Sequence, residues 1–449
     1  MKRPILFFSR TFALYLFALP ACSSSQEVPG GAGGSGSCGN GELCSSGGAS
    51  NSGGTIGVAS GGAEGGSGGV FASGGADGSG ATLNQSGGAD GNSGGETGMS
   101  GGAASGGAGQ TEPAFILGAD ISGVQESDST FVDTDGQQKS IFALLKNHGF
   151  NYIRLRTFVE PGAPYGYSSS ANGCDGMSET FGDKAHVIAY GKQAKDAGMG
   201  FLLNFHYSDV WADPGNQIIP DAWRSATDTN ALAALMKAYT KDVIQGAIAA
   251  GARPDMVQVG NEITPGMMAH LPGPDTDCWG NNPGSTSPIG GSTSNWTQLA
   301  TLLKAGIAGV REVDPSIKVM LHIENTDDLD GVKWWVQNAT SNGVEFDVLG
   351  LSCYTEFQGQ PSVWQNTFSQ MANDYPNLEF VIAEYNPERT QANTIMKNMP
   401  NGRGLGTFFW EPTRSGEWGD AMFTWEGNTA TAIPSDFAEY DAMLPSLGL

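Results

Sequence analysis

From residue 113 onwards, short apolar runs alternate with longer stretches in which apolar residues recur at helical spacing. Eight of these runs are five to seven residues long and almost continuously hydrophobic, which is typical of strands buried on both faces of a parallel sheet. We predict strands at residues 115–120, 151–156, 200–206, 256–261, 318–322, 347–352, 379–384 and 406–410.

Amphipathic stretches between these runs predict helices, and several of them stop at a glycine just after the last periodic residue. We predict helices at residues 140–149, 185–198, 231–251, 296–314, 331–343 and 361–373. Eight strands that alternate with helices favour a closed barrel over an open doubly wound sheet. The expected fold class is therefore α/β, with a single (β/α)₈ TIM barrel over residues 113–449.

The N-terminal quarter of the chain has a different composition, because 33 of the 68 glycines lie within the first 110 residues. Residues 23–112 are rich in Gly, Ser and Ala and hold too little apolar surface to offset the entropy of ordering. We expect this segment to be a disordered, flexible tether in front of the barrel.

Residues 1–22 have the pattern of an export signal, with a basic start, an apolar run and the sequence LPAC. The last four residues resemble a bacterial lipobox, in which Cys22 would carry a lipid; the alternative is a plain signal peptide that is cleaved elsewhere. We therefore expect an exported protein, either an outer-membrane or cell-surface lipoprotein or a secreted one. Contact with a membrane would be made only through the N-terminal lipid.

The charge balance of 22 Lys and Arg against 46 Asp and Glu gives a formal net charge of −24. Such a surface repels nucleic acid, so we expect no nucleic-acid partner, a neutral substrate and a monomer. Cys174 and Cys278 lie in predicted loops, where an exported protein can form a disulfide. No Cys or His spacing is typical of zinc, so we predict no metal site and no cofactor.

Polar and aromatic residues close the predicted strands, at the end of the barrel where such folds carry their sites. The set comprises Asp120, Arg154, Arg156, His206, Asn261, Glu262, His322, Ser352, Tyr354, Glu384, Trp410 and Glu411. His322 is equally compatible with a purely structural role. Within the set, Glu262 and Glu384 end strands that lie three apart in the ring, so their carboxyl groups can face each other across the barrel mouth.

Two opposed carboxyl groups in a cleft suit glycoside hydrolysis, in which one donates a proton and the other attacks the anomeric carbon. Metal binding is the competing use of two glutamates, but magnesium sites need further oxygen ligands that the sequence does not indicate. Arg154 can pair with Glu384 and lower its pKa. We also expect Tyr354 to hydrogen-bond the same carboxylate, Asn261 to bind a sugar hydroxyl and Trp410 to face a sugar ring.

Several motifs resemble glycoside hydrolase family 53, the endo-β-1,4-galactanases of clan A, over about residues 115–445. They are GADISGVQE, GFNYIRLR, LLNFHYSDVWADPG, VQVGNEITPG, FDVLGLSCY, VIAEYNPE and GTFFWEP. The resemblance implies a retaining endo-hydrolase of neutral β-1,4-galactan or type I arabinogalactan, with Glu262 as acid/base and Glu384 as nucleophile. It also implies supporting roles for Arg154, His206, Asn261, Tyr354 and Trp410, and a sugar-binding loop that contains Asp209 and Trp211.

One loop departs from the family pattern, because CYTEFQG follows the sixth strand where the family usually has a Tyr-Pro pair. Another clan A activity, such as a β-mannanase or a xylanase, therefore stays open. The alternative from another class is a non-catalytic carbohydrate-binding surface lipoprotein. Some bacterial relatives bind structural calcium, and the resemblance leaves that open here without assigning a ligand.

Overall fold

The computed structural model describes residues 115–414 and 421–449. The predicted export signal, the lipidation site Cys22 and the tether of residues 23–112 lie outside these residues. Eight parallel strands close into a barrel with the ring order β1–β8–β7–β6–β5–β4–β3–β2. These strands are β1 Ile116–Asp120, β2 Tyr152–Thr157, β3 Gly200–Phe205, β4 Met256–Val259, β5 Lys318–Ile323, β6 Val348–Cys353, β7 Glu379–Tyr385 and β8 Gly404–Trp410.

Each strand is followed by a helix, so the predicted (β/α)₈ barrel is confirmed. In the described part of the chain the α-helices are α1 Ile141–Asn147, α2 Lys184–Asp196, α3 Thr229–Ala249, α4 Trp296–Val313, α5 Leu329–Ser341, α6 Pro361–Asp374, α7 Arg389–Lys397 and α8 Pro434–Leu447. The sequence pattern does not predict α7 and α8. Helix α7 is short and mostly polar, and α8 contains Pro445 within its span.

Side-chain caps start most of the helices that the pattern predicts. Each of these caps accepts a hydrogen bond from a backbone N–H in the first helical turn, where the helix itself offers no acceptor. The capping residues are Ser140, Asp183, Asp228, Asn295 and Asp328.

The barrel interior changes from apolar to polar along the strands, because side chains two residues apart point to the same face. An apolar cluster fills the lower layer and comprises Ile116, Tyr152, Leu202, Met256, Met320, Val348, Val381, Ala383 and Phe408. Two residues further along their strands stand Arg154, Asn204, Gln258 and His322, all buried. The apolar layer therefore forms a floor beneath a polar layer at the carboxyl end of the barrel.

Loops at the carboxyl end carry further structure. Strands Thr130–Val132, Gln138–Lys139, Phe423–Glu426 and Thr429–Ala432 form a four-stranded sheet. Strands Gly266–Met267 and Gly291–Ser292 form a two-stranded one. Cys174 and Cys278 form a disulfide with an S–S distance of 2.04 Å, which joins the loops after β2 and β4.

Two properties of the described residues bear on the expectations from sequence. Within residues 115–414 and 421–449, no helix is long and apolar enough to cross a membrane. Over the same residues, no group of three or more His, Cys, Asp and Glu side chains is arranged to hold a metal ion.

Candidate active site

Glu262 follows β4 in a backbone conformation that an L-residue seldom adopts. The strand ends at Val259, earlier than predicted, because Gly260 has a φ of 85° and turns the chain out of the sheet. Glu262 itself has a φ of 46°. The Gln217 side chain donates to the carbonyl oxygens of Asn261 (2.9 Å) and Glu262 (3.3 Å). A loop after β3 therefore holds this strained turn, as is common at functional sites.

Glu384 lies near the end of β7, with its carboxyl group held by two donors from other strands. Arg154 Nη2 contacts Glu384 Oε1 at 2.8 Å, and the Tyr354 hydroxyl donates to Glu384 Oε2 at 3.0 Å. Arg154 is 1% exposed and Glu384 is 7% exposed, so water screens this ion pair little. Both partners predicted for Glu384 therefore contact it.

The two glutamates meet at the same mouth through strand β6. Ser352 on β6 is the register partner of Glu384 on β7, and the Ser352 hydroxyl is hydrogen-bonded to Glu262 Oε1 at 2.7 Å. Ser352 therefore contacts Glu262 and pairs in register with Glu384. Both carboxyl groups lie at the carboxyl end of the barrel, near enough for the charge of Glu384 to act on Glu262.

Burial raises the pKa of Glu262 well above its usual range. The negative charge of Glu384 raises it further, the Ser352 hydrogen bond lowers it, and Glu324 and Asp213 add smaller increases. Acidic groups therefore surround Glu262, and the protonated form of its carboxyl group is favoured.

Burial also raises the pKa of Glu384, and Arg154 and Tyr354 oppose that rise while Asp120 adds to it. The expected effect of Arg154 is present, but burial outweighs it. Because only Glu384 has a cationic partner in direct contact, it is the member of the pair that ionises first. Glu262 keeps its proton to higher pH.

Asn261 belongs to a buried network around the same arginine. Its Oδ1 accepts hydrogen bonds from Arg154 Nη2 (2.8 Å) and Gln258 Nε2 (2.9 Å), and its Nδ2 donates to the Ala212 carbonyl (2.8 Å). The carbonyl oxygen of the side chain is occupied within the protein. The binding of a sugar hydroxyl by Asn261 stays a prediction.

His206 and Asp209 lie in the loop after β3, and both are buried. Both accept hydrogen bonds from backbone N–H groups of the surrounding loops. His206 Nδ1 accepts the Ala212 N–H at 3.0 Å. Asp209 accepts the backbone N–H groups of Glu160 (2.8 Å) and Asp221 (2.7 Å), and burial raises its pKa to about 7. These side chains fix the course of the loop.

Arg156 and Trp211 form a second cluster beside the carboxylate pair. Arg156 contacts Glu411 Oε1 (2.8 Å) and Glu126 Oε1 (2.9 Å), and its guanidinium lies 4.2 Å from the centre of the Trp211 ring. The sequence therefore places Arg156 correctly at the rim, but its partners belong to a cluster separate from Glu384. Trp410 is half-buried where β8 ends.

Sequence reasoning missed Glu324, which follows β5 directly. It lines a cavity of about 340 Å³ together with Thr264, Asn325 and the exposed Trp334. The signal was present, because a glutamate that closes an apolar strand is the pattern that identified the other two. The charge of Glu324 raises the pKa of Glu262, so this wall of the cavity lies near that carboxyl group.

Known proteins resemble this chain over most of the barrel. Residues 116–396 match the family model described as Glycosyl hydrolase family 53. An endo-beta-1,4-galactanase from Bacillus subtilis is 31% identical over 332 residues, covering 66% of this chain and 70% of that protein. An arabinogalactan endo-beta-1,4-galactanase from Humicola insolens is 29% identical over 330 residues, covering 66% and 88%.

A solved structure from a study of two fungal beta-1,4-galactanases has a similar fold. It superimposes with a TM-score of 0.59 at 25% identity and covers 72% of this chain and 98% of that one. The extent of the family match and the similarity to named glycosidases agree with the paired carboxyl groups at the barrel mouth. The chain is a glycoside hydrolase and belongs to glycosyl hydrolase family 53.

Proposed function

We propose that this protein hydrolyses internal β-1,4-galactosidic bonds of galactan or type I arabinogalactan, with retention of configuration at the anomeric carbon. The substrate is supported by the names of its relatives, which include endo-beta-1,4-galactanases from a bacterium and a fungus. A neutral polysaccharide also suits a chain whose formal net charge is −24.

The observation that carries the proposal is the unequal environment of the two glutamates. Glu384 has an arginine at 2.8 Å and a tyrosine hydroxyl at 3.0 Å, both of which favour its charged form. Glu262 has a single serine donor and is surrounded by other carboxyl groups. Retaining glycosidases need this division, with one carboxylate as nucleophile and one carboxylic acid as proton donor.

The reaction then runs in two steps. Glu384 attacks the anomeric carbon and forms an ester, the bond from that carbon to the leaving oxygen breaks, and the Glu262 proton moves to that oxygen. Glu262, now a carboxylate, takes a proton from water while the water oxygen bonds the anomeric carbon and the ester to Glu384 breaks. Each residue returns to its starting state.

Neighbouring groups suit the two sides of the cleaved bond. Trp410 offers an aromatic face, and the side-chain amide of Asn261 would bind a hydroxyl of the sugar attacked by Glu384. The cavity beside Glu262 has an exposed tryptophan, Trp334, and room for a sugar on the leaving-group side. Sugar-binding positions on both sides of the cleaved bond would suit an internal bond of a long chain.

The setting of the enzyme follows from the expectations for the N-terminal region. We place the protein outside the cell as a monomer, attached to a membrane through a lipid on Cys22 and carried away from it by residues 23–112. A tether of this length and composition would let the barrel reach a bulky polymer. Metabolic labelling of the full chain with a palmitate analogue, compared with Cys22→Ala, tests the anchor: equal labelling would contradict it.

Incubating the protein with galactan, mannan and xylan tests the activity. We expect oligosaccharides from galactan, released first as the β-anomer in an NMR time course because retention preserves the configuration. Glu384→Ala should lower turnover on the order of 10⁴-fold or more. The exposed Glu345→Ala is the matched control and should leave turnover unchanged. Products from mannan or xylan alone, or full turnover by Glu384→Ala, would refute the proposal.

A further inference from the structure

A buried chain of hydrogen bonds connects Glu262 with the polar layer of the barrel interior. Ser352 Oγ lies 2.7 Å from Glu262 Oε1 and 2.9 Å from His322 Nε2. On the other side of the imidazole, Nδ1 lies 3.2 Å from Gln258 Nε2 and 3.1 Å from Asn261 Oδ1. Ser352, His322 and Gln258 are fully buried, so water cannot substitute for any of these contacts.

The Ser352 hydroxyl has one hydrogen and two neighbours that can accept it. When His322 carries its hydrogen on Nε2, it donates to Ser352, and the serine hydrogen points to Glu262 Oε1. When His322 carries its hydrogen on Nδ1, the serine hydrogen points to Nε2 instead. Ser352 can then only accept a hydrogen bond from Glu262.

His322 holds one hydrogen rather than two, because burial and the nearby Arg154 and His206 keep its pKa well below the usual range. The network accommodates either tautomer. Gln258 Nε2 can donate to a bare Nδ1, and Asn261 Oδ1 can accept from a protonated Nδ1. The tautomer of His322 therefore sets the direction of the hydrogen bond that reaches Glu262.

We propose that His322 and Ser352 are positioning residues that occupy Oε1 of Glu262 with a donated hydrogen bond, so that the acid proton resides on Oε2. Oε2 is the oxygen that does not contact buried Ser352, and it is therefore the one available to the departing sugar oxygen. The inference rests on the proposed roles of Glu262 and Glu384. It explains why the acid proton would lie on Oε2, where the substrate can accept it, and not on Oε1, which contacts Ser352.

Other ionisable groups also act on Glu262, and the test must separate their effect from that of Ser352. Glu384 and Tyr354 approach from β7 and from the residue after β6, Glu324 from the segment after β5, and Asp213 from the loop after β3. Ser352→Ala leaves all four of these in place. It removes one hydroxyl group from a buried position and adds no atom, so the fold should persist; a thermal melt checks this.

The decisive comparison uses two substrates that differ in their need for an acid. Galactan has a poor leaving group that must be protonated, whereas 2,4-dinitrophenyl β-galactobioside releases a stable phenolate without help. We expect Ser352→Ala to lower kcat/KM on galactan by about ten-fold or more and to change it less than about two-fold on the dinitrophenyl substrate. Ser352→Thr, which keeps the hydroxyl, should restore most of the loss.

The pH profile of kcat/KM supplies a second readout that simple loss of packing would not move. Activity falls at alkaline pH when Glu262 loses its proton. Because the Ser352 hydrogen bond stabilises the carboxylate, its removal should move the alkaline limb to higher pH by about one pH unit. The limb of Ser352→Thr should stay near that of the wild type.

Equal losses on both substrates, or an alkaline limb that does not move in Ser352→Ala, would overturn the positioning role while leaving the proposed function intact. The proposed function fails separately if the wild type does not cleave galactan, or if Glu262→Gln cleaves it at the wild-type rate. Wild-type turnover by Glu262→Gln would overturn the positioning role as well, because Glu262 would then not be the proton donor.

Discussion

Arg154 and Arg156 stand two residues apart on strand β2, point into the same barrel and are both almost fully buried, yet they do different work. Arg154 binds Asp120, Asn261 and Glu384, each at 2.8 Å. Arg156 binds Glu126, Glu411 and the Tyr167 hydroxyl and lies against the Trp211 ring. Arg154 contacts the carboxyl group of the proposed nucleophile, and Arg156 connects the loops after β1 and β8 at the rim.

The difference comes from depth in the barrel. Arg154 is the register partner of Asp120 and Leu202, so it lies at the level where the barrel interior turns from apolar to polar. Arg156 lies one layer higher and meets residues that follow β1 and β8, including Glu126 and Glu411. The two arginines lie on the same face of one strand. Their roles differ because different residues of the neighbouring strands and loops contact them at each level of the barrel.

The largest effect should come from breaking the deeper cluster. Arg154→Gln removes the cation that favours ionised Glu384, so we expect kcat/KM on galactan to fall by about 10³-fold. Arg156→Gln is the matched variant and should lower kcat/KM less than about ten-fold, because its partners do not include either proposed catalytic glutamate. Equal losses in the two variants would show that the two clusters act as one unit.

Stability should respond to the upper cluster. Arg156→Gln removes one of two arginines that contact both Glu126 and Glu411, and Arg414 remains beside them. Because Glu411 is only 1% exposed, we expect the free energy of unfolding to fall by about 2 kcal/mol. Urea unfolding of the barrel measures this. Arg156→Gln combined with Glu411→Gln should cost less than the sum of the two single changes. Additive losses would contradict the ion pair.

The fold was predictable because most barrel strands are nearly continuous apolar runs, a signal that can be read without knowing which strands pair. The pattern fails where local sequence conflicts with tertiary structure. Helix α7 buries Ala392, Ile395 and Met396 on one narrow face, and its other residues are mostly polar. Strand β4 ends at Val259 because the glycine after it has a positive φ, which a run of hydrophobic letters does not reveal.

The site was predictable only in part, because sequence shows which residues end strands but not which of them meet. Glu262, Glu384, Arg154 and Tyr354 come together as the alternation of the strands suggests. Although the family resemblance assigns a supporting role to Arg154, the strand pattern alone does not distinguish it from Arg156, because the distinction depends on the register between β1, β2 and β8. The same holds for Ser352, whose contact with Glu262 spans 90 positions of the chain.

The smallest effect should be a change in pH dependence that separates the two arginines once more. Glu384 must be ionised to attack, so activity rises with pH through its pKa, and Arg154 lowers that pKa against the effect of burial. Arg154→Lys keeps one positive charge but loses the planar fork that reaches Asp120, Asn261 and Glu384 together. The pKa of Glu384 should therefore rise, and the acidic limb of kcat/KM should move to higher pH by about half a pH unit. Arg156→Lys should leave that limb in place, because no contact links Arg156 to Glu384 in the described residues; a matching shift would mean that the rim cluster also tunes the carboxyl group of Glu384.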